Sequence, residues 1–240
     1  AIPFWSEVAT KLLQFDFLES STVFQHLLKA ANRLRGCVKR GGDIICSFVG
    51  MVLLSPLFLF IALRIKSDTP GPVIFDGDRV GYKGKVFKIH KFRSMYHESE
   101  NGSNAPITQN HDERITPFGK FLRDTKLNEL PQLWNVFVGE MSLVGPRPED
   151  PHFVKDWPED VRQKILSMRP GITSPASIIY CNEEELLNGD GYLEDYVGTI
   201  LPNKLELDQK YVENHSIYND LVILVKTVAV LVPKLFKRKA

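Results

Sequence analysis

The hydrophobic residues of this chain are concentrated in one place. From Ile44 to Leu63 the sequence reads IICSFVGMVLLSPLFLFIAL, twenty residues without a charge. At a rise of about 1.5 Å per residue such a helix is about 30 Å long, the thickness of a bilayer's hydrocarbon core. A buried core helix of a soluble protein would normally keep a polar face, and a signal peptide would start nearer the N-terminus and end at a small-residue cleavage site. Ser55 and Pro56 interrupt the run just past its middle. An interior proline removes one helical hydrogen bond and favours a kink, and a neighbouring serine hydroxyl can satisfy the carbonyl left over. Lys39 and Arg40 precede the run, and Arg64 and Lys66 follow it. A spanning helix fits the length, but basic residues at both ends favour a kinked, re-entrant helix that enters and leaves on one face.

On either side of this run the periodicity changes. Phe24 to Val38 mixes Leu27, Leu28, Ala31 and Leu34 with Lys29, Arg33 and Arg35, the pattern of a basic amphipathic helix suited to a membrane surface or to packing on the soluble part. After Ser67, Val73 to Phe75 and Val86 to Phe92 alternate as two short strands around Gly77, Gly81 and Gly84, which predicts a small β-hairpin. Residues 97–113 are polar and predict a loop. Thr116-Pro-Phe-Gly119 opens a helix to about Thr125. A second helix is expected from Asn128, acting as N-cap, to about Val138, stopped by Gly139. Glu159 to Met168 reads as a third, and Asn182 to Glu185 and Glu194-Asp195 as solvated helix ends. Ile217 to Val232 is aliphatic and is followed by Lys234, Lys237, Arg238 and Lys239, a helix expected to lie on an anionic membrane face or in the core.

Composition narrows the classes further. With 30 Lys+Arg against 29 Asp+Glu among 240 residues, the net charge of +1 excludes an acidic disordered chain and gives no electrostatic case for nucleic acid. A mean hydropathy of -0.13 excludes a polytopic membrane protein. Cys37, Cys46 and Cys181 have no metal-ligand spacing and suggest a reducing compartment. Opening on Ala, the sequence reads as processed or as part of a longer chain.

Candidate chemistry lies in three basic clusters. Lys88, His90, Lys91 and Arg93 form the first, and Arg123 stands before LNELPQLWN. The third is Gly145-Pro-Arg147-Pro148, echoed by Arg169-Pro-Gly171. Arginine forks bind phosphate bidentately, and flanking prolines hold such an arginine in an extended presentation. Together with a membrane segment, they point to a phosphate-rich substrate handled at a bilayer surface.

The strings KFRSM (91–95), LRDTKLNELPQLWNVFVGEMSLVGPRPEDP (122–151) and RPGIT (169–173) closely resemble the bacterial sugar transferase family of monotopic phosphoglycosyl transferases, over about Lys39 to Ala229. The resemblance implies an α/β, mostly helical monotopic membrane protein of the bacterial inner membrane, facing the cytoplasm. Its parts would be an N-terminal segment with an amphipathic helix (1–40), a re-entrant helix bent at Ser55-Pro56 (41–67), a cytosolic catalytic domain (68–216), and a C-terminal interfacial helix with a basic tail (217–240). It implies transfer of a hexose-1-phosphate from a nucleotide diphosphate sugar, usually a UDP sugar, to the polyprenyl lipid undecaprenyl phosphate, with release of UMP and a requirement for Mg²⁺. Such a reaction starts assembly of a surface polysaccharide or glycoconjugate. Homo-oligomerisation is compatible with it.

By the same resemblance, an adjacent Asp-Glu pair carries catalysis. Asp is the nucleophile, and Glu, here Glu129, helps hold the metal. Arg123, Arg147 and Arg169 would face phosphate groups, alongside Lys91 and Arg93. This chain departs from the pattern at the nucleophile position, which is Asn128. An amide oxygen is a poor nucleophile, so three alternatives stand. Another carboxylate (Asp124, Glu140 or Asp150) attacks, or phosphate passes directly to the lipid, in a natural subgroup. Asn128 is a deliberate replacement of Asp. Or the chain is catalytically silent and acts as a membrane scaffold or nucleotide-sugar binder. Sugar choice is expected of the segments 97–113 and 174–200.

Overall fold

The computed structural model describes residues 22–97, 107–108, 112–187 and 191–236. The chain divides into two compact units, Ala1–Gly42 and Asp43–Ala240. Within the first, the described residues belong to the leading part of one long helix, α1 (Thr22–Asp68). Expectations about residues 1–21, residues 98–106 and 109–111 of the polar loop, and the basic tail after Phe236 fall outside the described residues.

The second unit begins inside α1. There α1 runs as one continuous helix through Ser55-Pro56. Pro56 has no N–H for the Val52 carbonyl four residues back, and the Ser55 hydroxyl donates to that carbonyl instead, at 2.8 Å. Only 11% of the most apolar stretch is buried, which removes the core-helix alternative; Ile45, Val52, Leu53, Leu59 and Leu63 are each more than half exposed. Among the described residues, Arg33–Asp68 is the one helix long and apolar enough to cross a membrane. Its inner side is held at two points. Near the start the buried Asp43 carboxylate accepts from the Leu143 N–H at 3.1 Å, and near the end Ile61 and Ile65 pack on Phe92 and Leu122.

The hairpin is present, with a longer first strand than expected: β1 (Ile74–Val80) pairs antiparallel with β2 (Val86–Phe92), in register from Ile74–Phe92 to Val80–Val86. Strand alternation sends Phe87, Ile89 and Lys91 to one face. Phe87 and Ile89 join Val136 and Met141 in the core, so the lysine on that face is carried inward and needs an acidic partner. Helix α2 (Pro117–Asp124) starts as expected, Thr116 accepting from the Gly119 N–H at 2.9 Å. Asn128 does not cap the next helix. It lies in a 3-10 turn, Leu127–Glu129, and α3 (Gln132–Val138) begins only after Pro131, ending at Gly139 in the left-handed region with φ 98°. Asn135 of α3 is fully buried and pegs the helix to β2, donating to the Lys88 carbonyl at 2.7 Å and accepting from the His90 N–H at 3.1 Å.

A second, parallel pair was not foreseen: β3 (Ser142–Val144) lies beside β4 (Gly171–Thr173). It explains why Gly145-Pro and Pro-Gly171 echo each other. The two backbones meet so closely that a Cβ on Gly171 would overlap the Gly145 backbone nitrogen. Short helices α4 (Pro151–Val154), α5 (Glu159–Ile165) and α6 (Pro175–Ile179) follow the chain around this pair. A 3-10 turn (Glu183–Leu186), α7 (Tyr192–Asp195) and a π-helical turn (Tyr196–Ile200) then lead into α8 (Leu201–Glu213). The final helix α9 (Ile217–Phe236) combines both expected roles. Ile223 is buried against Val144 and Tyr211, while Tyr218, Leu221, Val225 and Val228 are more than half exposed.

The β3–β4 contact makes a direct stability test. Gly171→Ala should lower the unfolding free energy by about 3 kcal/mol through overpacking. Gly191→Ala, where an added Cβ meets nothing within 4 Å, should change it little. Denaturant unfolding of both variants in detergent checks the difference.

Candidate active site

Three segments converge on Glu129. The 3-10 turn supplies the carboxylate, the inward face of β2 supplies Lys91, and the segment after β3 supplies Arg147. Glu129 Oε1 accepts from Lys91 Nζ at 3.0 Å and from Arg147 at 3.3 Å, with only 13% of the glutamate side chain exposed. Burial pushes the Glu129 carboxyl up, but the charges of Lys91, Arg147 and Lys126 outweigh it and hold the group well below the usual carboxylate range. Burial brings Lys91 down to about 8, partly opposed by Glu129 and reinforced by Arg147 and Arg79. Arg147 is pushed up by the charge of Glu129, against burial. At neutral pH Glu129 and Arg147 are therefore ionised and Lys91 is mostly so, and the cluster carries more positive than negative charge.

Arg147 is set by its backbone as well. Its N–H donates to the buried Asp208 carboxylate of α8 at 2.8 Å. Burial raises that carboxyl to about 6, against the Arg147 N–H and the Ser174 hydroxyl. Behind Arg147, Glu149 accepts from the Tyr196 hydroxyl at 2.8 Å, and Lys204 reaches Glu183 at 2.9 Å and the same hydroxyl at 3.0 Å. Burial pushes the Tyr196 phenol up, with Glu149 and Glu183 adding to it, so it stays a donor.

These groups line a cavity of about 270 Å³. Asn128 lies on its wall, 6% exposed, and its Oδ1 is a buried acceptor with no hydrogen-bond partner among the described residues. Across the cavity Arg123 is held by Glu184 at 2.6 Å and by the Ser94 hydroxyl at 3.3 Å. A second, apolar cavity of about 410 Å³ adjoins the first and shares Lys126, Glu129, Arg147, Glu183 and Lys204 with it.

The sequence-predicted residues thus separate. Asn128, Glu129, Lys91, Arg123 and Arg147 are brought together. Arg93 and Arg169 are not. The Arg93 guanidinium is buried and donates to the carbonyls of Pro70 and Thr69 (2.9 Å for Thr69), clamping the turn between α1 and β1. Arg169 donates to the Gly139 carbonyl at 2.9 Å and lies 5.5 Å from the Tyr82 ring centre, and it lines neither cavity. The three alternative carboxylates are also elsewhere. Asp124 is exposed, Glu140 accepts from Asn135, and Asp150 caps α4 and pairs with Arg79 at 3.2 Å. Glu183 and Glu184, read as solvated, face the cavity and pair with cations there.

Sequence reading missed Lys126, Glu149, Tyr196 and Lys204. Lys126 has a left-handed backbone, φ 59°, one of two such non-glycine residues among those described, a conformation that concentrates at functional sites. Lys204 did leave a signal. With Leu201, Asp208 and Tyr211 it forms one buried stripe of α8, and a lysine within such a stripe needs partners.

The donor set is compatible with Mg²⁺. Among the described residues no cluster of three or more His, Cys, Asp or Glu could form a closed metal cage. Mg²⁺ usually needs only one or two carboxylates, its remaining positions being filled by water and substrate phosphate. Glu129 and the orphaned Asn128 Oδ1 are hard oxygen donors of that type.

The family model described as bacterial sugar transferase matches residues 34–234. The chain is 36% identical over 225 residues to a UDP-N-acetylgalactosamine-undecaprenyl-phosphate N-acetylgalactosaminephosphotransferase of Aeromonas hydrophila, covering 93% of this chain and 49% of that protein. It is 34% identical to an undecaprenyl-phosphate galactose phosphotransferase of Salmonella typhimurium, over 89% of this chain and 46% of that one. A UDP-glucose:undecaprenyl-phosphate glucose-1-phosphate transferase of Escherichia coli is 37% identical, over 84% and 41%. The chain spans about half the length of these curated relatives, or less.

The depressed Lys91 ammonium gives a pH signature. Above about pH 8 it loses its proton and one cation of the cavity disappears, so binding of pyrophosphate, a simple phosphate-bearing probe, should weaken as pH rises through that value. Lys91→Arg, permanently charged, should move this alkaline limb upward. A pH profile of pyrophosphate binding by both proteins is the check.

Proposed function

Because the chain belongs to the bacterial sugar transferase family, we propose that it transfers a hexose-1-phosphate from a nucleotide diphosphate sugar, a UDP sugar, to undecaprenyl phosphate, releasing UMP. The observation that carries this reading is the buried Glu129 between Lys91 and Arg147, in a cavity with further cations at Lys126, Arg123 and Lys204. A diphosphate brings the negative charge that this excess of cations lacks.

Each residue then has a task. Arg147, its backbone pinned by Asp208, orients one phosphoryl group, and Lys91 neutralises charge as the bond to the leaving UMP lengthens. Glu129 fixes the ends of both cations. Mg²⁺, when bound, would neutralise diphosphate oxygens, with Glu129 and the Asn128 amide oxygen as its protein donors. No carboxylate occupies the nucleophile position, and the three alternatives considered from sequence lie outside the cavity. We therefore favour direct transfer. An oxygen of the lipid phosphate attacks the sugar-bearing phosphorus, the P–O bond to UMP breaks, and UMP leaves with the bonding electron pair. The product is a lipid-linked diphosphate sugar.

The proposed setting is the cytoplasmic face of the bacterial inner membrane, with α1 bent at Pro56 so that both basic ends lie on one side. The exposed apolar flanks of α1 and α9 support this placement. A second reading, a silent membrane-bound sugar-nucleotide binder, is favoured by Asn128 alone.

A UMP-release screen across UDP sugars, with undecaprenyl phosphate and Mg²⁺ in vesicles, tests the reading. Turnover by the unmodified chain is expected, reduced about 100-fold or more in Glu129→Gln. Impermeant thiol reagents should reach cysteines placed at both ends of α1 from the same side. Silence on every sugar, with activity appearing in Asn128→Asp, would support the binder; labelling from opposite sides would exclude re-entry.

A further inference from the structure

The apolar cavity of about 410 Å³ presents mostly aliphatic side chains, a poor match for a polar nucleotide sugar, yet it shares five lining residues with the charged site. One wall comes from α1 (Gly50, Leu54) and α3 (Leu133), the other from α9 (Leu224, Val228, Leu231). Its floor carries Ile172 of β4 and Ala176 of α6. Gly50 lets α1 lie close against α3, since a Cβ there would lie 3.3 Å from Leu133 Cδ1. The α9 wall is fixed to β4 by Thr227, whose hydroxyl lies 2.7 Å from that of Thr173, and to α8 by Asp220, which accepts from Tyr211 at 2.6 Å. At one end the lining changes from aliphatic to ionic, at Lys126, Arg147 and Lys204 with the carboxylates Glu129 and Glu183, three cations against two anions. A site that is apolar along its length and cationic at one end matches an amphiphile with an anionic head.

We infer that this groove between α1 and α9 holds the first isoprenoid units of the polyprenyl phosphate acceptor, with its phosphate at the shared cations and the remaining chain leaving past Val228 into lipid. The inference rests on the transferase reading above and adds to it the place and direction of the acceptor. Volume favours a partial occupant. Pockets of roughly 300–1,000 Å³ take a molecule of drug size, enough for a few isoprene units and far too little for an undecaprenyl chain. The exposed outer faces of both walls, Leu53 on α1 and Val225 on α9, would let the remainder run out into lipid without crossing water. On this account α9 is part of the acceptor site and selects for chain length.

Val228 is 59% exposed and lines the groove, so Val228→Trp obstructs the groove without disturbing the core. With the full chain in nanodiscs, this variant should lower the ratio of kcat/KM for undecaprenyl phosphate to that for geranyl phosphate by about tenfold. Val225→Trp, on the same helix but outside the groove, should leave the ratio unchanged. An unaltered ratio in Val228→Trp, or an equal fall in both variants, overturns the groove. A binding experiment separates this outcome from failure of the transferase reading. A diazirine-bearing polyprenyl phosphate should label α9 between Leu224 and Leu231, and undecaprenyl phosphate, but not phosphatidylglycerol, should compete it away. That result upholds the groove even where no UMP is released. Labelling elsewhere, or equal competition by phosphatidylglycerol, rejects it even where turnover is found.

Discussion

One carboxylate oxygen joins the parts of this molecule. Glu129 Oε1 accepts from Lys91 of the hairpin and from Arg147 of the segment after β3, while Glu129 itself stands in the turn between α2 and α3. Each partner has a reason to be there before it meets the others. Strand alternation turns Lys91 inward beside Ile89, the Asp208 carboxylate holds the Arg147 backbone, and Pro131 delays α3 so that Glu129 stays in the turn. None could be buried alone, because an unpaired charge in such a place is very unfavourable. Together they are satisfied, and they leave a net positive cavity that can receive phosphate.

The apolar side of the structure is organised by the same centre. Lys126, Arg147 and Lys204 belong to both cavities, so the ionic cluster ends one and begins the other. In the proposed reaction a soluble diphosphate and a lipid phosphate would approach from these two sides and meet between common cations, gaining the proximity that a two-substrate transfer requires. The exposed aliphatic faces of α1 and α9 then have a common physical meaning: both would be solvated by lipid.

Much of this was legible in the sequence, for identifiable reasons. The uncharged run predicted α1, and Ser55 performs the expected substitution at the Val52 carbonyl. Alternation predicted the hairpin, and Glu129, Lys91, Arg123 and Arg147, named together from sequence, line one cavity. Arg93 and Arg169 lie apart from them on backbone carbonyls, because an arginine fork meets a carbonyl as readily as phosphate and only the path of the chain decides which. Asn128 has the composition of an N-cap, but Pro131 shifts the helix start. The β3–β4 pair was invisible because three-residue strands carry no periodicity; only the echo of Gly145-Pro and Pro-Gly171 marked it. Glu183 and Lys204 are ordinary surface types whose pairing depends on α8 crossing behind Arg147.

The account rests on Glu129 being ionised by its cations despite burial, and the two influences oppose each other in sign. The most direct measurement is a ¹³C NMR titration of the Glu129 side-chain carboxyl in the full chain, assigned by its loss in Glu129→Gln. The carboxyl is predicted to titrate well below its ordinary 4.5, and to move upward in Lys91→Met. A carboxyl that titrates at or above 4.5 in the unmodified protein would mean that burial prevails, and the charged centre described here would not exist.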